Sequence, residues 1–347
     1  MLLRCKSAIM SNMDQKMEIR ELHGTTYQIG FQSGSFFHGR VKIELDGIRS
    51  FMQQNKQAME QMIRSREMLQ YHYPSYYEET IGKADGLGID RDVYMMLMHP
   101  EILQKGHESC TTIMVKNKNG TIILAHNEDD FFAKGNLCFV KVYTENGWFI
   151  TNDSYHMPFG NGLCIHQSGL LRTINYCYDS PDDGYSRYFS QRHIAEADSI
   201  ENLKKRALEM KPSSGYHVNV IDPAINQAFS LEVRNDGLHC RKVESFIVHT
   251  NHFVYDISDQ KLSFQPGGNS LYRYETVMKQ MEESTEYSLN HLQEILNMYT
   301  DDPMTSIFQC HKDDNRTLFR FTYDGRNHTS TIQEYEHGIS LTMQEVI

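Results

Sequence analysis

Residues 108–132 read ESCTTIMVKNKNGTIILAHNEDDFF, and the local pattern of the chain changes within this stretch. Two short β-type runs, Thr111–Lys116 and Thr121–His126, flank the pair Asn119–Gly120. An Asn-Gly pair favours a hairpin turn because both residues tolerate positive φ. We therefore predict a β-hairpin here, with Cys110 as the first residue of its first strand.

Helices are predicted before this hairpin, and strands with two further helices after it. Apolar residues recur every three or four positions from Thr25 to about Gly88, which is a helical pattern. Gly30 and Gly34 within it indicate close helix packing rather than ligand contact. The later elements are predicted as strands Leu137–Thr144, Trp148–Thr151, Tyr216–Ile221, Ala228–Val233, Phe246–Thr250, Thr317–Tyr323 and Ser330–Tyr335, and helices at about Asp198–Met210 and Ser288–Met298. This order predicts a layered α+β fold with stacked antiparallel sheets.

Composition narrows the class of protein and its partners. The chain has 347 residues, 39% of them hydrophobic, and a formal net charge of -11, which disfavours nucleic acid and anionic membrane surfaces as partners. No apolar run reaches the roughly 18 residues that span a bilayer, so we expect a soluble cytoplasmic protein. Its seven cysteines are widely spaced without a CxxC motif, so we predict no metal site, no disulfide framework and no cofactor.

A nucleophilic thiol at Cys110 would need a base, and two kinds are available. Among the histidines, His126, His249 and His252 are the ones to consider, but alternation along a strand puts His249 and His252 on opposite faces. We therefore expect both to be structural. The other base is the α-amine of Cys110 itself, released by cutting the preceding peptide bond. Its pKa near 7.7 to 8.0 nearly matches that of a thiol, about 8.5, so proton transfer is close to thermoneutral.

The chain resembles the acyl-coenzyme A:6-aminopenicillanic acid acyltransferase family of amino-terminal-nucleophile hydrolases, relatives of the choloylglycine hydrolases. The resemblance is carried, in order, by HGTTYQIGFQSG, EETIGKADGLGID, CTTIMV followed by NGTIILAHNED, and VHTNHF. It implies a four-layer αββα sandwich with a helical amino-terminal segment. Residues 17–109 would form that segment and 110–347 the catalytic segment of the same domain, after a disordered leader at 1–16.

The resemblance also implies how the chain would work. A precursor would cut itself between Ser109 and Cys110, and the new amino-terminal thiol would attack a small acyl amide or thioester. Asp129 matches the acid that holds the α-ammonium, with Asp130 as the alternative if the alignment shifts by one. Asn251 matches the oxyanion-hole asparagine, whose neutral amide suits that task. The choice between hydrolysis and transfer to an amine stays open.

Several positions depart from the family pattern or have a smaller predicted role. Gln309 stands where relatives typically carry an arginine, and His166 where bile-salt hydrolases have an asparagine. With Thr111 and His126, these are the candidate substrate-binding residues. Arg192 matches a family arginine and is predicted to be structural.

Two other functions remain open from the sequence. Ser109 stands where the penicillin enzyme of the family has a glycine. This change and the one at Gln309 raise the alternative of an unprocessed, catalytically inactive binding protein with the same fold. A thiol hydrolase that pairs Cys110 with His126 or His249 in an uncut chain is disfavoured on strand geometry. A homo-oligomer is a further open expectation.

Overall fold

The computed structural model describes residues 17–40, 45–103, 109–131, 136–177, 183–255, 269–284, 287–310 and 315–344. The predicted leader, residues 1–16, lies outside the described residues. Within them the chain forms helices and two β-sheets, which confirms the predicted α+β class.

The amino-terminal segment is mostly helical, as predicted. After strand β1 (Ile19–Leu22) come α1 (Thr26–Phe37), α2 (Asp46–Gln54), α3 (Lys56–His72), α4 (Pro74–Leu87), α5 (Arg91–Leu97) and α6 (Pro100–Leu103). Thr25 begins α1 with a capping box, in which its hydroxyl accepts from the backbone of Gln28 and the Gln28 side chain accepts from the backbone of Thr25. Asp90 caps α5 in a similar way by accepting from two free amides.

The strands form two separate sheets. The eight-stranded sheet has the order β1-β4-β5-β6-β7-β8-β9-β10, and the six-stranded sheet has the order β11-β2-β3-β12-β13-β14. The remaining strands are β2 (Ser109–Lys116), β3 (Ile122–Phe131), β4 (Cys138–Thr144), β5 (Gly147–Asp153), β6 (Leu163–His166), β7 (Leu171–Tyr176), β8 (Tyr216–Asp222), β9 (Gln227–Arg234), β10 (Gly237–Lys242), β11 (Phe246–His249), β12 (Asn315–Asp324), β13 (Thr329–Glu334) and β14 (Ser340–Gln344). The Asn119–Gly120 pair closes the predicted hairpin of β2 and β3, with Gly120 at φ 85°. Gly147, at φ 120°, is the first residue of β5 after the turn from β4.

Apolar side chains show that the two sheets stack face to face. Met114, Leu124 and Phe321 of the six-stranded sheet share one buried cluster with Phe139 and Leu163 of the eight-stranded sheet. Since side chains alternate along a strand, the neighbouring residues of β2 and β3 face the opposite way. This arrangement places one hydrophobic cluster between the sheets.

Helices cover the outer face of each sheet. On the six-stranded sheet, Ile113 and Ala125 pack with α9 (Ser270–Glu283) and α10 (Leu289–Leu296). On the eight-stranded sheet, Val218 and Leu231 pack with residues of α7 (Arg187–Ile194) and α8 (Ile200–Glu209). The four-layer αββα arrangement expected from the family resemblance is therefore confirmed.

Helices α1 and α4 cross at unusually short range through glycines. A Cβ placed on any of these glycines would lie 2.0–2.3 Å from a backbone oxygen of the other helix. They are Gly30 and Gly34 on α1, and Gly82 and Gly86 on α4. The close packing predicted for Gly30 and Gly34 is confirmed, because no larger residue fits this crossing.

Two buried ion pairs join these helices to the rest of the fold. Lys83 Nζ donates to Asp153 Oδ1 at 2.7 Å, and Ser33 Oγ donates to Asp153 Oδ2 at 2.7 Å. Arg192 donates to both carboxylate oxygens of Glu79, the shorter bond being 2.8 Å. The structural role predicted for Arg192 is confirmed, since its charge is used within the fold.

The sequence pattern missed some strands and ended one too early. The runs LCIH and LRTINY, which form β6 and β7, are buried at every position and show no alternation to reveal a strand. Strand β3 continues to Phe131 instead of ending at His126. The acidic run Glu128–Asp130 is consequently buried within the fold and is not a solvated strand end.

Candidate active site

Cys110 lies in a central strand of the six-stranded sheet, because β2 pairs with β11 on one side and β3 on the other. The register pairs Cys110 with Glu128 and Ser109 with Asp129. Alternation therefore directs Cys110 and Glu128 into the space between the sheets, and Ser109 and Asp129 toward the helical layer. Strand β2 begins at Ser109, so the peptide bond before Cys110 lies inside the strand.

Two buried side chains hold the backbone of Cys110. Its N–H donates to Asn251 Oδ1 at 3.0 Å, and Arg273 Nη1 donates to its carbonyl oxygen at 2.6 Å. Arg273 Nη2 also donates to Asn251 Oδ1, at 2.6 Å, while Asn251 Nδ2 donates to the carbonyl of Tyr176 at 2.9 Å. Asn251 is thus in direct contact with the predicted nucleophile, through its oxygen.

The start of α9 explains why Asn251 and Arg273 converge. Asn251 lies in the bend after β11, where its N–H donates to Ser270 Oγ at 2.9 Å. Ser270 is the first residue of α9, and Arg273 follows one turn later with its Nε bonded to Asn269 Oδ1 at 2.8 Å. The first turn of one helix therefore positions both side chains against Cys110.

Asp129 is a buried carboxylate with incomplete hydrogen bonding. Thr317 donates to its Oδ1 at 2.6 Å, but Oδ2 has no hydrogen-bond partner among the described residues. Burial raises the pKa of Asp129 to about 6, against the opposing effects of Arg273 and the Thr317 hydroxyl. The ladder between β3 and β12 is irregular here, with a register shift between Thr317 and Phe319.

Asp130, the alternative to Asp129, has a different environment. Its carboxylate lies 2.9 Å from His156 Nε2. It also lies one residue further along the strand, and alternation turns it to the other face of the sheet. The geometry favours Asp129, which is paired across the strands with Ser109.

His126 and Glu128 lie beside the thiol on the face between the sheets. One ligand-type atom from each of Cys110, His126 and Glu128 lies within 4.8 Å of the other two, and all three residues are buried. His126 Nε2 is 2.9 Å from Glu128 Oε2, and His126 Nδ1 is 2.7 Å from Thr112 Oγ1. Burial lowers the pKa of His126 to about 3, so its imidazole is neutral. The geometric objection to pairing Cys110 with a histidine does not hold for His126, because β3 brings it onto the same face.

A buried polar network continues from Thr112 across to the other sheet. Thr112 Oγ1 is 3.0 Å from Asn175 Oδ1, and Asn219 Nδ2 donates to both residues. Next to it, the rings of His217 and His249 stack with centroids 3.4 Å apart. These contacts form a buried polar network beside the apolar cluster between the sheets, and they connect β2 to the eight-stranded sheet.

His249 and His252 have structural contacts, and neither is among the three residues grouped around the thiol. His249 Nε2 lies 3.3 Å from Glu232 Oε1, and His252 Nδ1 lies 2.8 Å from Ser270 Oγ. Burial is the main cause that lowers the pKa of His252, to about 4. The structural role expected for both residues agrees with these contacts.

Residues 115–337 match the acyl-coenzyme A:6-aminopenicillanic acid acyl-transferase family, over well more than half of the chain. The chain belongs to this family. The matched region includes Asp129 and Asn251 but begins five residues after Cys110. The family assignment therefore does not by itself cover the nucleophile.

Solved structures with similarity to the chain include a bile acid hydrolase and a penicillin acylase. A variant of conjugated bile acid hydrolase from Clostridium perfringens is 14% identical, with a TM-score of 0.45, covering 68% of this chain and 92% of that one. Penicillin V acylase from Agrobacterium tumefaciens is 12% identical, with a TM-score of 0.40, covering 68% and 86%. No curated protein matches the chain. Because both TM-scores are below 0.5, membership rests on the family match.

The four predicted substrate-binding residues are not in one place. Thr111 is buried and accepts from Arg273 Nη1 at 2.7 Å, so it supports that arginine. Gln309 donates from its side chain to the Ser306 carbonyl at 2.7 Å, and its backbone N–H donates to Thr317, the partner of Asp129. The structure brings Thr111, His126 and Gln309 near the candidate site.

His166 lies far from Cys110, at the turn between β6 and β7. Its Nδ1 is hydrogen-bonded to Ser168 Oγ at 2.9 Å. Tyr176, which contacts Asn251, lies at the opposite end of β7, so the two are roughly 20 Å apart along the strand. The structure does not bring His166 together with Cys110.

Arg273 and Glu128 are site residues that sequence reasoning did not identify. Arg273 lies in the pattern NSLYRYE, which looks like an ordinary amphipathic helix start. Glu128 was visible as one member of an acidic run, without a signal for the face it occupies.

Among the described helices, none is long and apolar enough to cross a membrane.

Proposed function

We propose that this chain is a cysteine amidase or N-acyltransferase that activates itself by cutting between Ser109 and Cys110. The observation that carries this is the state of Asp129, a buried carboxylate whose Oδ2 has no partner among the described residues. A buried carboxylate oxygen without a hydrogen-bond partner is costly, and natural folds retain such costs mainly at functional sites. Cutting before Cys110 would create an α-ammonium beside it, on the strand pair that joins Ser109 to Asp129.

The cut itself uses atoms that already lie together. The Cys110 thiol attacks the carbonyl carbon of Ser109, and the peptide C–N bond breaks as the amine takes a proton. The resulting thioester is hydrolysed by water, which releases a carboxylate at Ser109 and regenerates the thiol. Asn251 Oδ1 already accepts from the nitrogen that becomes the amine, so it would keep this leaving group in position.

In the mature chain, the α-amine of Cys110 would serve as the general base. It takes the thiol proton, the thiolate attacks the substrate carbonyl, and the amine product leaves with that proton. Arg273 lies against the Cys110 carbonyl and Asn251, and a neighbouring cation favours the neutral, basic form of the amine. Asn251 Nδ2 carries a second hydrogen besides the one given to Tyr176, and that hydrogen is available to an oxyanion.

The burial of the Cys110 side chain supports a need for self-cleavage before the chain can act on a substrate. Cys110 is only 2% exposed, so a substrate amide cannot reach its sulfur while the strand is intact. Cutting would free the Ser109 end of the strand to move away from the thiol. We infer that the uncut chain is a precursor without activity.

The substrate follows from the chemistry and from the family. An acyl-cysteine intermediate forms from a small acyl amide or thioester, and it ends as an acid when water accepts the acyl group or as a new amide when an amine does. The family takes its name from acyl transfer to an amine. The cytoplasmic location and the homo-oligomer expected from the sequence remain predictions.

The decisive experiment is intact-mass analysis and denaturing electrophoresis of purified wild type and Cys110→Ala. We expect wild type to give pieces of 109 and 238 residues and Cys110→Ala to remain at 347 residues. A screen across N-acyl amino acids, penicillins and acyl-homoserine lactones, with Cys110→Ala as the inactive control, would then identify the substrate class. Wild type that stays whole and inactive, with a thiol that resists alkylation, would instead support a binding protein.

One second candidate is favoured by a specific contact. Because His126 and Glu128 lie beside Cys110, an uncut chain could act as a thiol hydrolase that uses this histidine as its base. It would appear as a full-length band that hydrolyses substrate and loses activity in His126→Gln. Fragments with activity retained in the pieces would exclude it.

A further inference from the structure

Cys110, His126 and Glu128 form a cluster with the geometry of a metal site. Their ligand atoms all lie within 4.8 Å of one another, and the register of β2 and β3 fixes the spacing. Cys110 lies directly opposite Glu128 in the register of β2 and β3. His126 is two residues before Glu128, on the same face of the sheet. The cluster therefore belongs to the framework of the sheet and does not depend on a loop.

The donor set is one that zinc uses. Thiolate, imidazole and carboxylate are standard zinc ligands, with bonds of about 2.3, 2.0 and 2.1 Å. Tetrahedral angles then place neighbouring donor atoms roughly 3.4 to 3.6 Å apart. His126 Nε2 and Glu128 Oε2 are 2.9 Å apart, so a separation of about half an ångström more would admit the ion. Side-chain rotation is enough for a change of that size.

The surroundings orient the imidazole as in known metal sites. A metal-binding histidine normally uses its second ring nitrogen in a hydrogen bond that fixes the ring. His126 Nδ1 has this bond, 2.7 Å from Thr112 Oγ1, and Thr112 is in turn held by Asn175 and Asn219. The other ring nitrogen, Nε2, is thereby directed toward Glu128 and the thiol.

We propose that Cys110, His126 and Glu128 bind one divalent zinc-type ion, with the Cys110 thiolate as a ligand. Binding displaces the thiol proton and forms a sulfur–metal bond, so the sulfur can attack neither the Ser109 carbonyl nor a substrate. The consequence for catalysis rests on the proposed function, whereas metal binding does not. The metal would act as a reversible inhibitor that keeps the precursor whole.

The test uses the full-length protein with Co²⁺ as the probe. Thiolate ligation of Co²⁺ produces a strong charge-transfer absorption in the near ultraviolet, which oxygen and nitrogen ligands do not give. We expect one bound Co²⁺ per chain with this absorption in wild type, and none of this absorption in Cys110→Ala. Because the cluster is buried, protein grown with added zinc should also carry it through purification, as measured by elemental mass spectrometry.

Ligand and control variants make the assignment specific. Glu128→Gln and His126→Gln should each weaken Co²⁺ binding by about tenfold or more. His337→Ala changes a more exposed group of Glu334, Glu336 and His337 at the end of β13, and it should leave the absorption unchanged. Wild type without the absorption, or with an affinity that neither ligand variant changes, overturns the site. If a variant fails to fold, the Co²⁺ absorption of wild type still tests the site.

Failure of the site and failure of self-cleavage give different results. Zinc added during maturation should slow the appearance of the 109- and 238-residue pieces, and a chelator should restore it. A chain that stays whole after treatment with a chelator, and that gives the absorption when Co²⁺ is then added, would refute self-cleavage and support the metal site. A chain that cuts itself but lacks the absorption would refute the metal site alone.

Discussion

Replacing Asp129 by asparagine in the uncut chain should change its stability in a pH-dependent way, with the variant gaining relative to wild type as pH rises. The carboxylate is fully buried, which raises its pKa from 3.8 to about 6, and its Oδ2 has no hydrogen-bond partner in the part of the chain that the structure describes. A folded-state pKa above the unfolded value means that the folded chain binds more protons between those pH values. Stability therefore falls as pH rises through this window. Asparagine has no proton to lose and escapes that fall.

The magnitude follows from the two pKa values. Linkage gives a penalty for Asp129 of roughly 0.5 kcal/mol at pH 4, about 1.5 kcal/mol at pH 5 and about 3 kcal/mol above pH 7. Asparagine adds a pH-independent cost of about 1 to 3 kcal/mol, because its amide hydrogens replace the unpartnered oxygen. The prediction therefore concerns how the difference in unfolding free energy between the two proteins changes with pH. The size of that difference at any single pH does not test it.

Urea unfolding from pH 4 to 8, followed by fluorescence of the single tryptophan, Trp148, would measure this difference. Both proteins should carry Cys110→Ala so that neither can cut itself. Asp46→Asn is the matched control, because that carboxylate is fully exposed and its removal should leave the pH dependence of stability nearly unchanged. A difference for Asp129→Asn that is constant with pH, or that grows toward acid, would refute the reasoning.

Two further predictions concern the packing of the amino-terminal helices and use the same unfolding assay. Gly82→Ala should destabilise the fold by about 3 kcal/mol or more, since its Cβ would lie 2.1 Å from a carbonyl oxygen, whereas Gly47→Ala, with open space around it, should be neutral or stabilising by up to about 1 kcal/mol. A tolerated Gly82→Ala would show that the helices can separate at little cost. Lys83→Met should cost about 3 to 5 kcal/mol, because it leaves the Asp153 carboxylate buried without its cation, whereas Lys56→Met removes only an exposed ion pair and should cost less than about 1 kcal/mol. Equal effects of the two lysine variants would contradict the importance of burial.

Much of the secondary structure could be predicted because it depends on neighbours in the chain. The Asn119–Gly120 turn needs only positive φ at Gly120, and the Thr25 and Asp90 caps need only free amides two or three residues away. Two of the strands that were missed, β6 and β7, are buried on both faces. Their sequences carry no alternation, because helices cover one face and the second sheet covers the other.

The candidate site was only partly predictable for a related reason. Cys110, Asp129 and Asn251 stood in recognisable motifs, so the resemblance placed them at once. Arg273 had no motif, since it reaches Cys110 only because α9 begins beside the bend that holds Asn251. His166 had a motif position but lies at the other end of β7.

The amino-acid sequence alone determined the Asn119–Gly120 turn, many of the helices and strands, and that a cysteine opens the β-rich half. These properties are local, because backbone dihedral preferences and capping bonds involve residues a few positions apart. Only the tertiary structure decided which side chains meet at that cysteine. Pairing β2 with β3 puts Glu128 and His126 on its thiol face and Asp129 on the other, and a shift of one residue in register would exchange these faces.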